Sequence, residues 1–270
     1  MKEILVEELK QIQLNMLNIL HDFCIANGIK YSLTYGTLIG AIRHNGFIPW
    51  DDDIDVFMTR PEYEKFKQSF RHRYIAFADI NTDSSCNVTY GKLYDTRTEI
   101  HEYASVNWNS GIYIDLFVID GLGNDYKTAK IHYNKLSFLR KVRDFKIVKF
   151  NKSRSTVKNI ALFVGKLFLA PFSFQSIQKR IVELKSKYDY SNSKYAADLS
   201  WGTYRRILPK DVFESYVTHK FEERDYMIIQ AYDLYLTTVF GDYMQLPPLE
   251  KRVTHHVFNA WWKTETSLFN

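Results

Sequence analysis

The sequence predicts an α+β fold: a mixed β-sheet core flanked by helices, with a basic helical insertion. Three observations lead there. Apolar residues at spacings of three and four mark a helix over 3–27. Short β-rich runs then alternate with short helical ones as far as residue 120. From about residue 125 the pattern becomes helical and strongly cationic. At 270 residues, 46% hydrophobic and 16% aromatic, the chain buries a sizeable core and is not disordered. The expected division is a mixed α/β core over 1–126, a basic helical subdomain over 127–200, and a C-terminal segment over 201–270.

In the first helix Leu5, Leu9, Ile12, Met16, Ile19 and Phe23 form the stripe, and Gly28 ends it. "YSLTYG", 31–36, reads as a strand running into a glycine, and "TLIGAIRH", 37–44, as a short helix closed by Asn45-Gly46. "DIDVFM", 53–58, reads as a strand, and Thr59 and Pro61 open the next helix with Tyr63 and Phe66 on its inner face. Strands are expected around 87–94 and 98–103, and "GIYIDLFVID", 111–120, is a further one. In the basic segment Ile131, Phe138, Val142, Phe145 and Val148 form the expected helical stripe. Helices are also expected over 174–188 and near 228–240, the latter ended by Gly241.

Charge is distributed unevenly. Residues 127–194 hold 17 Lys or Arg and 3 Asp or Glu, a net +14, so the remainder of this +5 chain is at −9. Such a block attracts an anionic surface, although a solvated basic face has the same composition. The run "IALFVGKLFLAPFSF", 160–174, is too short to span a bilayer and contains Lys166 and Pro171; it reads as a buried helix or as one lying in a membrane surface. Two cysteines exclude a disulfide framework and a cysteine-rich zinc site. No basic stretch followed by an apolar core opens the chain, so the expected compartment is cytoplasmic, with peripheral attachment at the inner face of the membrane.

"IPWDDDIDVF", 48–57, places four carboxylates in five positions. In a strand Asp51, Asp53 and Asp55 would share one side while Asp52 faces the other. Oxygen donors of this kind suit a hard divalent cation, Mg²⁺ or Mn²⁺. The acids also match positions 1, 3, 5 and 12 of a calcium loop if Glu62 is counted, but Val56 stands where the loop requires glycine. Gly36 and Thr37 lie at a strand-to-helix turn, where backbone N–H groups and a hydroxyl can hold phosphate. Arg43 and His44 follow within reach of phosphate oxygens, and Lys92 is a further phosphate ligand or else a surface lysine. Asp115 lies inside an apolar strand, where a carboxylate is costly unless paired.

A glycine-hydroxyl turn, an acid-x-acid strand and a third acid on a neighbouring strand form the pattern of the nucleotidyltransferase superfamily. The fuller string "YGTLIGAIRHNGFIPWDDDIDVFM", with "GIYIDLF" and "FGDYMQLPPLEKRVTHH", closely resembles the LicD family of phosphotransferases, relatives of fukutin and its related protein. The resemblance weakens across roughly 127–200. It implies a nucleotidyltransferase-like core that takes a phosphoalcohol from CDP-choline or another CDP-alcohol and attaches it to a hydroxyl of a lipid-linked or polymeric glycan, such as a teichoic acid precursor, releasing CMP. It implies Asp53, Asp55 and Asp115 as catalytic metal ligands with Asp51 beside them, and Asp115 or Asp55 as the group taking the acceptor's proton. Gly36, Thr37, Arg43, His44 and Lys92 would bind donor phosphate, and His255 and His256 would contact donor or acceptor. An anionic membrane surface is the expected partner of 127–194, and nucleic acid is not expected. Two other readings stay open: a nucleotidyltransferase passing a nucleoside monophosphate to a small molecule, and a non-catalytic binder of membranes or anionic polymers.

Overall fold

Leu9, Ile12 and Met16 of the expected stripe are buried, and the buried face continues through Leu20 and Cys24, whereas Ile19 and Phe23 are half-buried and Leu5, before the helix, is exposed; Gly28, at φ +63°, turns the chain after it. The computed structural model describes residues 2–102, 108, 110–149, 155–254 and 258–263. In chain order these form β1 (Lys2–Ile4), α1 (Val6–Ala26), β2 (Ser32–Leu33), α2 (Tyr35–His44), β3 (Asp55–Thr59), α3 (Arg60–Ser69), β4 (Ile75–Ala78), β5 (Gly91–Asp95), β6 (Thr98–Glu102) and β7 (Tyr113–Gly121). There follow α4 (Tyr126–Ile147), α5 (Thr156–Phe168), α6 (Phe174–Lys185), β8 (Tyr195–Asp198), β9 (Leu208–Pro209), β10 (Tyr216–Phe221), β11 (Arg224–Ile229), α7 (Tyr232–Phe240) and β12 (Phe258–Trp262).

The chain is therefore mixed α/β. Its main sheet runs β2-β3-β7-β5-β4, with β8 and then β9 added beside the far end of β7. Only β3 and β7 are parallel; the other pairs are antiparallel. α1 and α3 pack on this sheet and build the large core with Phe57, Phe66, Leu93, Ile114 and Leu116. A second core joins α4 and α6 through Tyr133, Leu136, Ile177, Ile181 and Leu184 to Ala197, Leu199 and Ile207. β12 lies between β1 and β6, tying the two ends of the described chain together.

Several elements differ from expectation. Residues 2–4 pair as a strand with 260–262 instead of extending α1. β3 begins at Asp55, so residues 51–54 are irregular and strand alternation does not orient Asp51 and Asp53. β4 and the β10–β11 hairpin were not expected, and α7 starts at Tyr232 because 224–229 are taken by the hairpin. On α4 the buried face is Ala129, His132, Tyr133, Leu136 and Arg140, while Ile131 and Phe138 of the expected stripe are exposed. No helix of the described residues is long and apolar enough to cross a membrane.

Candidate active site

Three charged side chains stand in a row across the sheet. Asp55, the first residue of β3, is directly opposite Asp115 on β7, and Asp115 is directly opposite Lys92 on β5. Paired positions on strands about 4.8 Å apart present side chains to the same face, so the register alone brings these groups together. Lys92, only 4% exposed, puts its ammonium 2.7 Å from Asp115 Oδ1 and 3.1 Å from the centre of the Tyr113 ring. It is a buried ion-pair partner and not a surface lysine. Tyr90 donates its hydroxyl to Asp115 Oδ2 at 3.3 Å. Asp115 Oδ1 accepts no hydrogen bond of good geometry, so the Lys92 charge is what it has in its place.

The loop before β3 is held from both sides. The Asp55 N–H donates to Thr37 Oγ1 at 2.8 Å, and the Asp115 N–H donates to the Ile54 carbonyl at 3.0 Å. Thr37 thus anchors the acid strand; it is buried and does not line the cavity. Gly36 does line it, and a Cβ there would come within 2.4 Å of Asp51 Oδ2. The missing side chain is what lets the Asp51 carboxylate lie on the first turn of α2, the end of a helix that favours negative charge. Tyr35 precedes it at φ +47°, a conformation costing a bulky residue roughly 1–3 kcal/mol.

Asp51, Asp53, Asp55 and Asp115 line one cavity of about 1290 Å³; Asp52 is buried and off its wall. Burial, followed by the charges of Asp53, Asp115 and Asp51, pushes the Asp55 carboxyl well above the usual range, with Lys92 opposing. No three carboxylate, imidazole or thiol groups among the described residues converge as a ready-made metal cage. The donor set nonetheless fits a hard divalent cation: four carboxylates line one cavity and Asp55 resists ionisation among them.

Arg43 reaches the cavity, with Nη1 held by the carbonyls of Tyr243 at 2.5 Å and Gln245 at 3.3 Å. His44 stands behind it, accepting from Arg43 Nε at 3.0 Å, and does not line the wall. Burial and the neighbouring Arg43 lower the His44 pKa, keeping the ring neutral. His255 and His256 lie outside the described residues.

Beside the acids the cavity is lined by aromatic rings. Tyr90 lies 4.4 Å from Phe117 and 6.1 Å from Trp201, centre to centre, and Tyr35 lies 5.0 Å from Phe117 and 6.3 Å from Phe240. A buried network fixes them. Asp198 accepts from the Tyr35 hydroxyl and, at 2.8 Å, from the Ser200 N–H; Lys185, fully buried, donates to Ser200 Oγ and the Thr89 carbonyl. Arg206, also on the wall, approaches the Tyr35 hydroxyl at 3.3 Å. None of Tyr35, Tyr90, Trp201, Arg206 and Phe240 carries a spacing signal, because they converge from four separate stretches of chain.

Residues 28–151 match the family profile described as LicD/FKTN/FKRP, nucleotidyltransferase domain. Over 273 aligned positions the chain is 32% identical to the lipopolysaccharide cholinephosphotransferase LicD of Haemophilus influenzae, covering 97% of this chain and 99% of that one. Shorter matches join it to uncharacterized proteins of Rickettsia typhi, 44% identical over 18% of this chain and 16% of the relative, and Rickettsia prowazekii, 53% identical over 13% and 14%. The acid string from Asp51 to Asp55 and its partner Asp115 both fall within the matched domain, and similarity of this extent along the whole chain settles the family: the protein belongs to the LicD family.

Proposed function

We propose that this protein transfers phosphocholine from a CDP-linked donor to a hydroxyl of a cell-surface glycan precursor, releasing CMP. One observation carries the reading: a single cavity joins a wall of four carboxylates to a wall of aromatic rings. Near-full-length similarity to a protein named as a cholinephosphotransferase supports it. The acidic wall suits phosphate held through a divalent cation, and the aromatic wall suits a quaternary ammonium, which ring faces attract. A polyol would find few polar partners on those rings.

In the proposed reaction the acceptor oxygen attacks the phosphorus bearing choline. The bond from that phosphorus to the bridging oxygen breaks, and CMP leaves with that oxygen. A Mg²⁺ or Mn²⁺ ion held by Asp53, Asp55 and Asp115, with Asp51 beside them, would neutralise charge on the phosphates. Arg43 is placed to meet a donor phosphate from the α2 side. Asp55 would take the acceptor's proton, because Asp115 is already engaged by Lys92 and Tyr90. Lys92, committed to Asp115, acts by holding that carboxylate and not as a direct phosphate ligand.

The test is a donor panel. With Mg²⁺ and an oligosaccharide acceptor, CDP-choline should release CMP faster than CDP-glycerol or CDP-ribitol, with phosphocholine appearing on the acceptor. Pyrophosphate release from CTP or ATP, with no CMP from any CDP-alcohol, would replace this reading with nucleotidyl transfer.

A further inference from the structure

Helix α5 turns its apolar side outward. Among its residues only Leu162 is buried, while Val157, Ile160, Phe163, Leu167 and Phe168 are 58–77% exposed. At 3.6 residues per turn these five and Val164 fall within one arc of roughly 140°. Just beyond the helix Phe172 is also exposed. The opposite side fastens α5 to the protein. Gly165 lies against Phe145, where an added Cβ would come within 2.7 Å of the ring. Lys166 donates to the Lys146 carbonyl at 2.9 Å, and Lys146 to the Leu169 carbonyl at 2.6 Å. A surface helix ordinarily shows its polar side to water; this one shows a continuous hydrocarbon strip, a feature that marks an interaction surface.

The surrounding charge identifies what covers it. No carboxylate occurs between Asp144 and Glu183, a stretch containing eight Lys or Arg. An apolar strip set in cations without anions is the chemistry of an interfacial helix on acidic lipid. A second copy of this chain is disfavoured there, because it would bring two segments of net +14 together. At 13 residues α5 is about 20 Å long, too short to span a bilayer and suited to lying flat in its surface.

We propose that α5 is a docking helix that inserts its outer face into the surface of a bilayer containing anionic phospholipid. Docking there has a consequence for the cavity. Arg143 and Asp144 line it, and the next residue, Phe145, packs on α5. The docked helix is thus joined to the rim of the cavity and holds it beside the membrane.

Flotation of the full chain with phosphatidylcholine vesicles containing about 30% phosphatidylglycerol tests this, with no donor or acceptor present, so the outcome is independent of the reaction proposed above. The chain should float with these vesicles, bind pure phosphatidylcholine at least about tenfold more weakly, and lose affinity in about 0.5 M salt. The double variant Phe163→Glu, Leu167→Glu should lose at least about tenfold in binding; both side chains are solvent-facing, so its thermal midpoint should match the parent. Absence of flotation, or flotation undiminished in the variant, overturns the proposal. So does a concentration-dependent dimer that the same variant dissociates while vesicles bind neither form, which would assign the face to a second copy.

Discussion

Asp55→Asn is expected to reduce CMP release from CDP-choline by at least about 10³-fold while raising the thermal midpoint of the cation-free chain. The two effects have one cause. Asp55 is buried among Asp51, Asp53 and Asp115, and its folded pKa lies well above the ordinary carboxylate value. A group raised in this way contributes stability below its unfolded pKa and loses that contribution as pH rises through the folded value. At neutral pH its ionisation therefore opposes folding. Asparagine keeps the shape and removes the charge, a gain on the order of 1–2 kcal/mol, or a few degrees in the midpoint. Melting in EDTA between about pH 5 and 8 should show the parent losing stability with rising pH more steeply than the variant. A lowered midpoint in the variant would show that Asp55 is held by partners that favour its charge.

Lys92→Met should produce the largest loss of stability. Its ammonium is the positive charge on Asp115, and removing one partner of a buried pair costs roughly 3–5 kcal/mol. For a chain of this size the midpoint in EDTA should fall by roughly 10 °C. Divalent cations should then raise the midpoint of the variant more than that of the parent, because they supply the charge that Lys92 provided. An equal rise in both would mean that Lys92 and the cation do not share Asp115. Turnover should fall as well, since the carboxylate loses the group that positions it.

The parts of the site that could be read from sequence are those whose chemistry is local. Gly36, the acids from Asp51 to Asp55, and Asp115 lie in short strings, and the cavity gathers them. The reason for their grouping differs from strand alternation: Asp55 and Asp115 meet through the β3–β7 register, the Thr37 hydroxyl holds the Asp55 N–H, and Asp51 is placed by the turn at Ile48–Asp51 and by the absence of a side chain at Gly36. The β10–β11 hairpin escaped because its turn is made by Glu222 at φ +56°, without the Gly or Asn that normally announces one. Glu222 is stabilised there from a distance, its carboxylate accepting from the Phe47 N–H and its own N–H donating to the Asn45 carbonyl.

On α4, polarity misleads in the other direction. His132 and Arg140 are buried because backbone carbonyls satisfy them, His132 meeting Leu184 and Arg140 meeting Leu199 and Gly202. A hydrophobic stripe cannot foresee those partners. The outward face of α5 fails the same rule for a different reason: its apolar residues stay exposed, where burial was one of the two expectations. The aromatic wall was illegible because its rings reach the cavity from distant segments, with Lys185 and Asp198 as the buried struts between them.

The central claim is that the carboxylate wall works by holding a divalent cation against the donor's phosphates. The direct measurement is CMP release from CDP-choline by chain stripped with EDTA and then titrated with Mg²⁺ or Mn²⁺. The account predicts no release until cation is added, saturable recovery in the parent, and none in Asp55→Asn. Undiminished release in EDTA would contradict it.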